Sequence, residues 1–143
     1  MTERQFRPPA SDWVRKQLET IDATGDTRSV QVQNRPVVVF TVRGATSGLY
    51  RRVPVMRVEH DGVYAVVASA GGQPKHPAWY HNLVAHPEIE LQDGTEVRRM
   101  RARQIFGDER EQWWGGCVAA FPPYAEYQKK TERQIPVLLC EQS

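Results

Sequence analysis

Residues Arg52–Ser69, RVPVMRVEHDGVYAVVAS, decide the fold class. Two runs rich in valine meet at His60-Asp61-Gly62. Asp-Gly between such runs is a strong short-range hairpin signal, because both residues tolerate the positive φ that a right-twisted hairpin turn requires. The pattern recurs downstream as Ile89–Gln92, Asp93-Gly94 and Thr95–Ile105. Pro36–Arg43 (PVVVFTVR) and Pro136–Cys140 (PVLLC) bring the count to about six strands. Hairpin-linked strands with few, scattered helices predict an α+β domain with an antiparallel sheet. A small barrel is the economical arrangement, since closure removes exposed edges. A dinucleotide-binding parallel sheet is excluded: the first strand lacks GxGxxG, and strands do not alternate with helices.

The same stretch runs on as VYAVVASAGGQPKHPAWYHNLVA, Val63–Ala85. A strand (Tyr64–Ala68) empties into Ser69-Ala70-Gly71-Gly72, and a short aromatic-rich helix opens after Pro77. Glycines after a strand let a ligand approach the backbone, and a helix start offers free N–H groups to an anion. The unit suits a large, flat, anionic molecule. A Gly-Gly pair serves equally well as plain turn chemistry.

The 143 residues are read as one domain, of which 1–26 form an N-terminal tail and an amphipathic helix. Residues 1–10 read as a loose, proline-ended tail. Ser11 caps a helix to about Thr20, with Trp13, Val14, Leu18 and Ile21 on one stripe. That stripe is expected to pack on the domain; peripheral membrane contact through the Trp13 face is the minor reading. Further helices are expected over Glu109–Phe121 and from Pro122-Pro123. No apolar run reaches bilayer length and no secretory signal opens the chain, so a cytoplasmic protein, at most membrane-associated, is expected. A net charge of +2 argues against a nucleic-acid partner. Arg99, Arg101 and Arg103 alternate along a strand as a solvated face. Cys117 and Cys140 are spaced like neither a metal clip nor a redox pair, and read as reduced structural thiols. His76, His81 and His86 recur every five residues, a spacing that makes helical side chains diverge, so no metal site is expected.

Four pieces, SDWVRKQ (11–17), TVRGATSGLYRRVPVMRVEHDG (41–62), YAVVASAGGQPKHPAWYHNL (64–83) and FPPYAEYQKKTERQIPV (121–137), carry a family resemblance in order and spacing. The chain resembles the deazaflavin (coenzyme F420)-dependent nitroreductase and quinone reductase family of split β-barrels, with an FMN-binding-like fold. The resemblance implies a cofactor wall made of Ala45, Thr46 and Ser47; Arg51, Arg52, Val53, Pro54, Val55 and Met56; Val67, Ala68, Ser69 and Ala70; Ala78, Trp79, Tyr80, His81 and Asn82; and Tyr124. The chain departs from the family pattern at Thr46, Leu49 and Ala70, where lysines are usual, and at Phe121, where a tyrosine can stand. A charge-assisted hydrogen bond to phosphate is worth roughly 1.5–3 kcal/mol. Arg51, Arg52, Arg43 and Lys75 are the cations left to hold an anionic tail.

The implied activity is hydride transfer from the reduced deazaflavin to a quinone, an activated alkene (enone) or a nitroaromatic acceptor. Such chemistry needs orientation, dryness and a proton from the protein. Tyr124 is the candidate for polarising the acceptor oxygen, with Ser69 second. Tyr127, three residues on, stands beside Tyr124 on the same helix side. Half-buried packing of both tyrosines is the competing reading. Two alternatives stay open: a non-catalytic module binding a flavin, fatty acid or similar amphiphile, and an FMN-dependent split-barrel oxidase. A homodimer is a further expectation.

Overall fold

A computed structural model describes residues 4–9 and 11–143. Helix α1 (Asp12–Thr24) is followed by strands β1 (Gln31–Val32), β2 (Arg35–Arg43), β3 (Tyr50–Met56), β4 (Glu59–His60) and β5 (Val63–Val67). Then come α2 (Ala78–Ala85), β6 (Glu88–Asp93), β7 (Glu96–Gln104), α3 (Gly107–Ala120), α4 (Pro123–Lys129) and β8 (Val137–Gln142). The α+β class and the antiparallel sheet agree with the sequence reading.

The long strands run β3-β2-β6-β7-β8-β5 across one curled sheet, with the two-residue β1 and β4 added to β2 and β5. Period-two alternation sorts the core. Val38, Phe40, Val42, Tyr64, Val66, Leu138 and Cys140 point into the curl with Leu91 and Met100. Val37, Ala65, Val67, Val137 and Leu139 face outward beneath α3 and α4. Leu18 and Ile21 of α1 pack on Val39 from a third side, with Val14 against them, whereas Trp13 at the start of the helix is exposed.

Turn chemistry sets the register. Asp61 and Gly62 have φ of 51° and 80°, joining His60 to Val63 in two residues. In the second hairpin Asp93 still pairs with Glu96, and Gly94-Thr95 makes the turn.

The segment read as one strand, Arg52–His60, is broken at Arg57-Val58. The Arg57 amide donates to Pro36 of β2, whereas Val58 accepts from the Ala65 amide of β5. The chain changes partner there, and that step joins the two edges of the sheet at one end. Elsewhere among the described residues no ladder links β3 to β5. The barrel is split along that seam.

The N-terminal residues are not loose where they are described. Tyr50 donates to Gln5 and accepts from the Arg7 amide at 2.8 and 2.9 Å, and Arg4 pairs with Glu90 at 2.9 Å. No helix among the described residues is long and apolar enough to cross a membrane. The β7 arginines behave as a solvated face, with Arg101 paired to Glu88 and Arg103 to Glu109 and Glu141.

Candidate active site

The seam opens into a cleft with two lobes that share Pro54 and Trp79. The first lobe, of about 450 Å³, lies between β3 (Pro54, Val55, Met56), the Val67–Gly71 segment, α1 and α4. Ser69, Ala70, Trp79, Tyr124 and Tyr127 border it, and so do Trp13 and Gln17 of α1. None of its lining side chains is charged. The second lobe, of about 490 Å³, carries Arg51, Arg52, Val53 and Ala78, with Arg7, Pro8 and Pro9 along its rim. It has three arginines and no acid. One cleft therefore offers an uncharged compartment and a cationic one.

Local sequence explains how the walls are set. Ala70, Gly71 and Gly72 all have positive φ, of 47°, 65° and 82°, and coil the chain tightly after β5. The two glycines do different jobs. A Cβ on Gly72 would stand 2.6 Å from the Tyr127 carbonyl, so this glycine exists to seat the loop on α4. A Cβ on Gly71 would meet nothing within 4 Å; this position faces the open lobe. The Gly72 and Gln73 amides are spent inside the turn, on Ser69 and Ala70 carbonyls.

Arg133 holds the same loop from the other side. Its guanidinium donates to the carbonyls of Ala68 (3.2 Å), Ser69 (2.8 Å) and Gln73 (3.0 Å). Gln128 fixes Arg133 in turn, donating to its carbonyl and accepting from the Ile135 amide. Arg133 escaped the sequence reading because its acceptors are main-chain oxygens about sixty residues away.

Tyr124 is 5% exposed, and its ring meets Phe121 edge-on. Burial, then Cys117 and Tyr127, raises its pKa above that of an ordinary phenol, so the hydroxyl keeps its proton at neutral pH. Neither the Tyr124 nor the Ser69 hydroxyl is hydrogen-bonded within the described protein, and both residues border the first lobe.

Outside the lining of either lobe, the Ala45 amide donates to Asn82 Oδ1 at 2.9 Å. This bond brings the Ala45-Thr46-Ser47 loop to α2. Asn82 Nδ2 and Arg51 Nε are buried donors without a partner among the described residues. Buried donors in native proteins almost always find an acceptor. Gly44 adjoins Arg51, its Cβ position lying 3.8 Å from Arg51 Nε and 2.7 Å from Ser47 Oγ. Arg51, on β3 and in the lining of the cationic lobe, offers an orphaned donor that fits the anionic part of a cofactor of the kind that the resemblance implies.

Other predicted residues stand apart. Arg52 is held by Asp22 of α1 at 2.9 Å, so its fork fixes the helix instead of standing free for phosphate. Tyr80 donates to Gln104 at 2.6 Å, His81 is exposed, and Ala68 contributes its backbone to the Arg133 clamp; none of these borders either lobe. Thr46 and Ser47 are exposed and border neither lobe.

Known proteins match this architecture. The F420H(2)-dependent quinone reductase family profile matches residues 13–142. A protein of Mycobacterium tuberculosis, provisionally named an F420H(2)-dependent quinone reductase, is 35% identical over 104 residues, spanning 73% of this chain and 87% of its own length. The solved structure of an F420-H2 dependent reductase is 56% identical with a TM-score of 0.71, over 78% of this chain and 99% of that one. A second solved structure, described as a domain-swapped dimer, is 55% identical with a TM-score of 0.74, over 91% and 98%. With its split barrel and its two-compartment cleft, the chain belongs to the F420H(2)-dependent quinone reductase family.

Proposed function

We propose that the cleft binds coenzyme F420 with its rings in the uncharged lobe and its phosphate-bearing tail in the cationic lobe, and that the chain reduces a quinone. The observation that carries this reading is an uncharged and an arginine-bearing cavity side by side, with Pro54 and Trp79 lining both. Reduced F420, when bound, supplies a hydride from carbon 5 of its deazaflavin ring. Everything else falls to the chain. Arg51 and Asn82 take the tail with their orphaned donors, and the Ala45–Ser47 loop closes beside them. Pro54, Val55 and Met56 support the rings, with Val67, Ser69 and Ala70 opposite and Trp79 at the waist. Tyr124 and Tyr127 of α4 form the aromatic wall of this lobe.

Tyr124 donates its hydroxyl to the acceptor oxygen that gains charge. The oxygen's proton comes from this phenol or through it, and the quinone leaves as hydroquinone after gaining one hydride and one proton. Ser69 is the second donor, and Tyr127 shapes the same wall. An uncharged lobe selects neutral acceptors, so enones and nitroaromatics fit by the same chemistry. A homodimer is supported by the domain-swapped dimer among the structural relatives.

Anaerobic turnover of menadione with reduced F420, followed by deazaflavin absorbance, tests the reading. Tyr124→Phe is expected to lower kcat by about 100-fold while F420 affinity holds, the lower end for general acid catalysis. Unchanged turnover in that variant removes Tyr124 from the chemistry.

A further inference from the structure

We propose that Gln17 is a specificity-determining residue whose side-chain amide donates a hydrogen bond to a carbonyl oxygen of the quinone in the uncharged lobe. The inference rests on the reading just given and extends it to a residue on an element outside the barrel. Gln17 is 7% exposed, yet it is not on the core stripe of α1, which is built from Leu18 and Ile21 against Val39. It borders the lobe, and its amide is not among the sealed side-chain donors and acceptors that lack a partner, so it stays open to the cleft. Glutamine is rarely so covered as a residue, and an amide left open on the cleft side can donate to a ligand there.

Its surroundings point to a neutral oxygen. The lobe lining contains no charged side chain, so an ionised partner would be poorly solvated there. Trp13, one helical turn earlier and 62% exposed, borders the same lobe, so α1 presents an indole and an amide together. Helix α1 is a rigid support: Asp22 pairs with Arg52 of β3, and Gly25 caps the helix while accepting from Gln92 of β6. Tyr124 reaches the lobe from α4 and Gln17 from α1. A quinone carries carbonyl oxygens on separate ring positions, and two donors on separate elements match that form. A ligand with a single apolar tail does not use the second donor.

The test compares wild type with Gln17→Met, which keeps length and bulk but has no donor, and with Gln17→Glu. Menadione binding is read by tryptophan quenching without cofactor, and menadione KM by turnover with reduced F420. The expected result is a rise of about tenfold in both menadione constants for Gln17→Met, with F420 affinity and melting temperature unchanged. Gln17→Glu is expected to bind menadione poorly at neutral pH and to recover as the carboxyl protonates in acid, a pH profile that a packing role does not produce. Menadione constants within twofold of wild type in Gln17→Met overturn the inference, as does a parallel loss of F420 affinity. If wild type itself fails to turn over menadione, the functional reading falls and this inference falls with it; if wild type is active and the variants are indifferent, only the inference falls.

Discussion

Arg133 donates to Nδ1 of His76 across 3.0 Å. A guanidinium has no acceptor, so Nδ1 must accept, which leaves the imidazole neutral with its proton on Nε2. The same guanidinium binds three carbonyls of the Ala68–Gln73 segment. One cation from the segment after α4 thus draws together the loop that forms one wall of the proposed ring site. No carboxylate takes part, so the clamp works through hydrogen bonds rather than charge neutralisation.

Removing this clamp loosens the wall before it unfolds the barrel. Arg133→Ala should cost roughly 2 kcal/mol in urea unfolding, since hydrogen bonds to a charged group are worth about 1.5–3 kcal/mol and these are partly wet. Arg133→Lys should recover part of that, because a single ammonium cannot span the same acceptors. Hydrogen exchange in residues 68–76 should quicken in both variants.

The His76 contact gives the fold a pH dependence with a definite sign. Burial, then Arg133 and His81, lowers the His76 pKa below the usual 6.5. A lowered folded-state value means that the unfolded chain binds the proton more tightly. The associated stability is complete above about pH 6.5 and is lost as pH falls from there through the folded pKa. Melting temperature should drop over that interval in wild type and drop less in His76→Asn.

The glycine pair separates seating from opening. Gly72→Ala combines a strained φ of 82° with a contact of 2.6 Å to the Tyr127 carbonyl. It should destabilise by about 3–4 kcal/mol from strain plus overpacking. Gly71→Ala has φ 65° and open space, so about 1–2 kcal/mol of backbone strain is all it should cost. Calorimetry on the two variants distinguishes them.

Arg51 should behave as a ligand group rather than a structural one. Its buried Nε lacks a partner, so Arg51→Met should leave stability of the free protein unchanged or slightly raised. Its F420 affinity should fall by about 10–100-fold, the value of one charge-assisted hydrogen bond. Equal losses of stability and affinity would assign Arg51 to the fold.

Much of this was legible in the sequence because it is local. Asp61-Gly62 sets one hairpin, alternation along Pro36–Arg43 sorts core from surface, and the Ala78–Ala85 helix follows its proline. The break at Arg57-Val58 was not legible, since a change of strand partner leaves the apolar run intact. The Asp22–Arg52 pair, the Arg133 clamp and the docking of residues 5–7 on Tyr50 each join segments at least thirty residues apart. Such contacts depend on which faces meet once the barrel has curled. Gln17 was missed for a related reason: helical periodicity places it beside the apolar stripe, and the cleft that it borders exists only in the folded chain.

The central claim is that the two-lobed cleft receives F420 in particular, rings in one lobe and tail in the other. Parallel titration of the protein with F420 and with FMN, read by quenching of its tryptophans, tests this directly, since Trp13 and Trp79 both border the uncharged lobe. The account predicts saturable quenching by F420 at one molecule per chain, weakened in Arg51→Met, with no saturation by FMN over the same concentrations. Saturation by FMN alone, or by neither molecule, contradicts it.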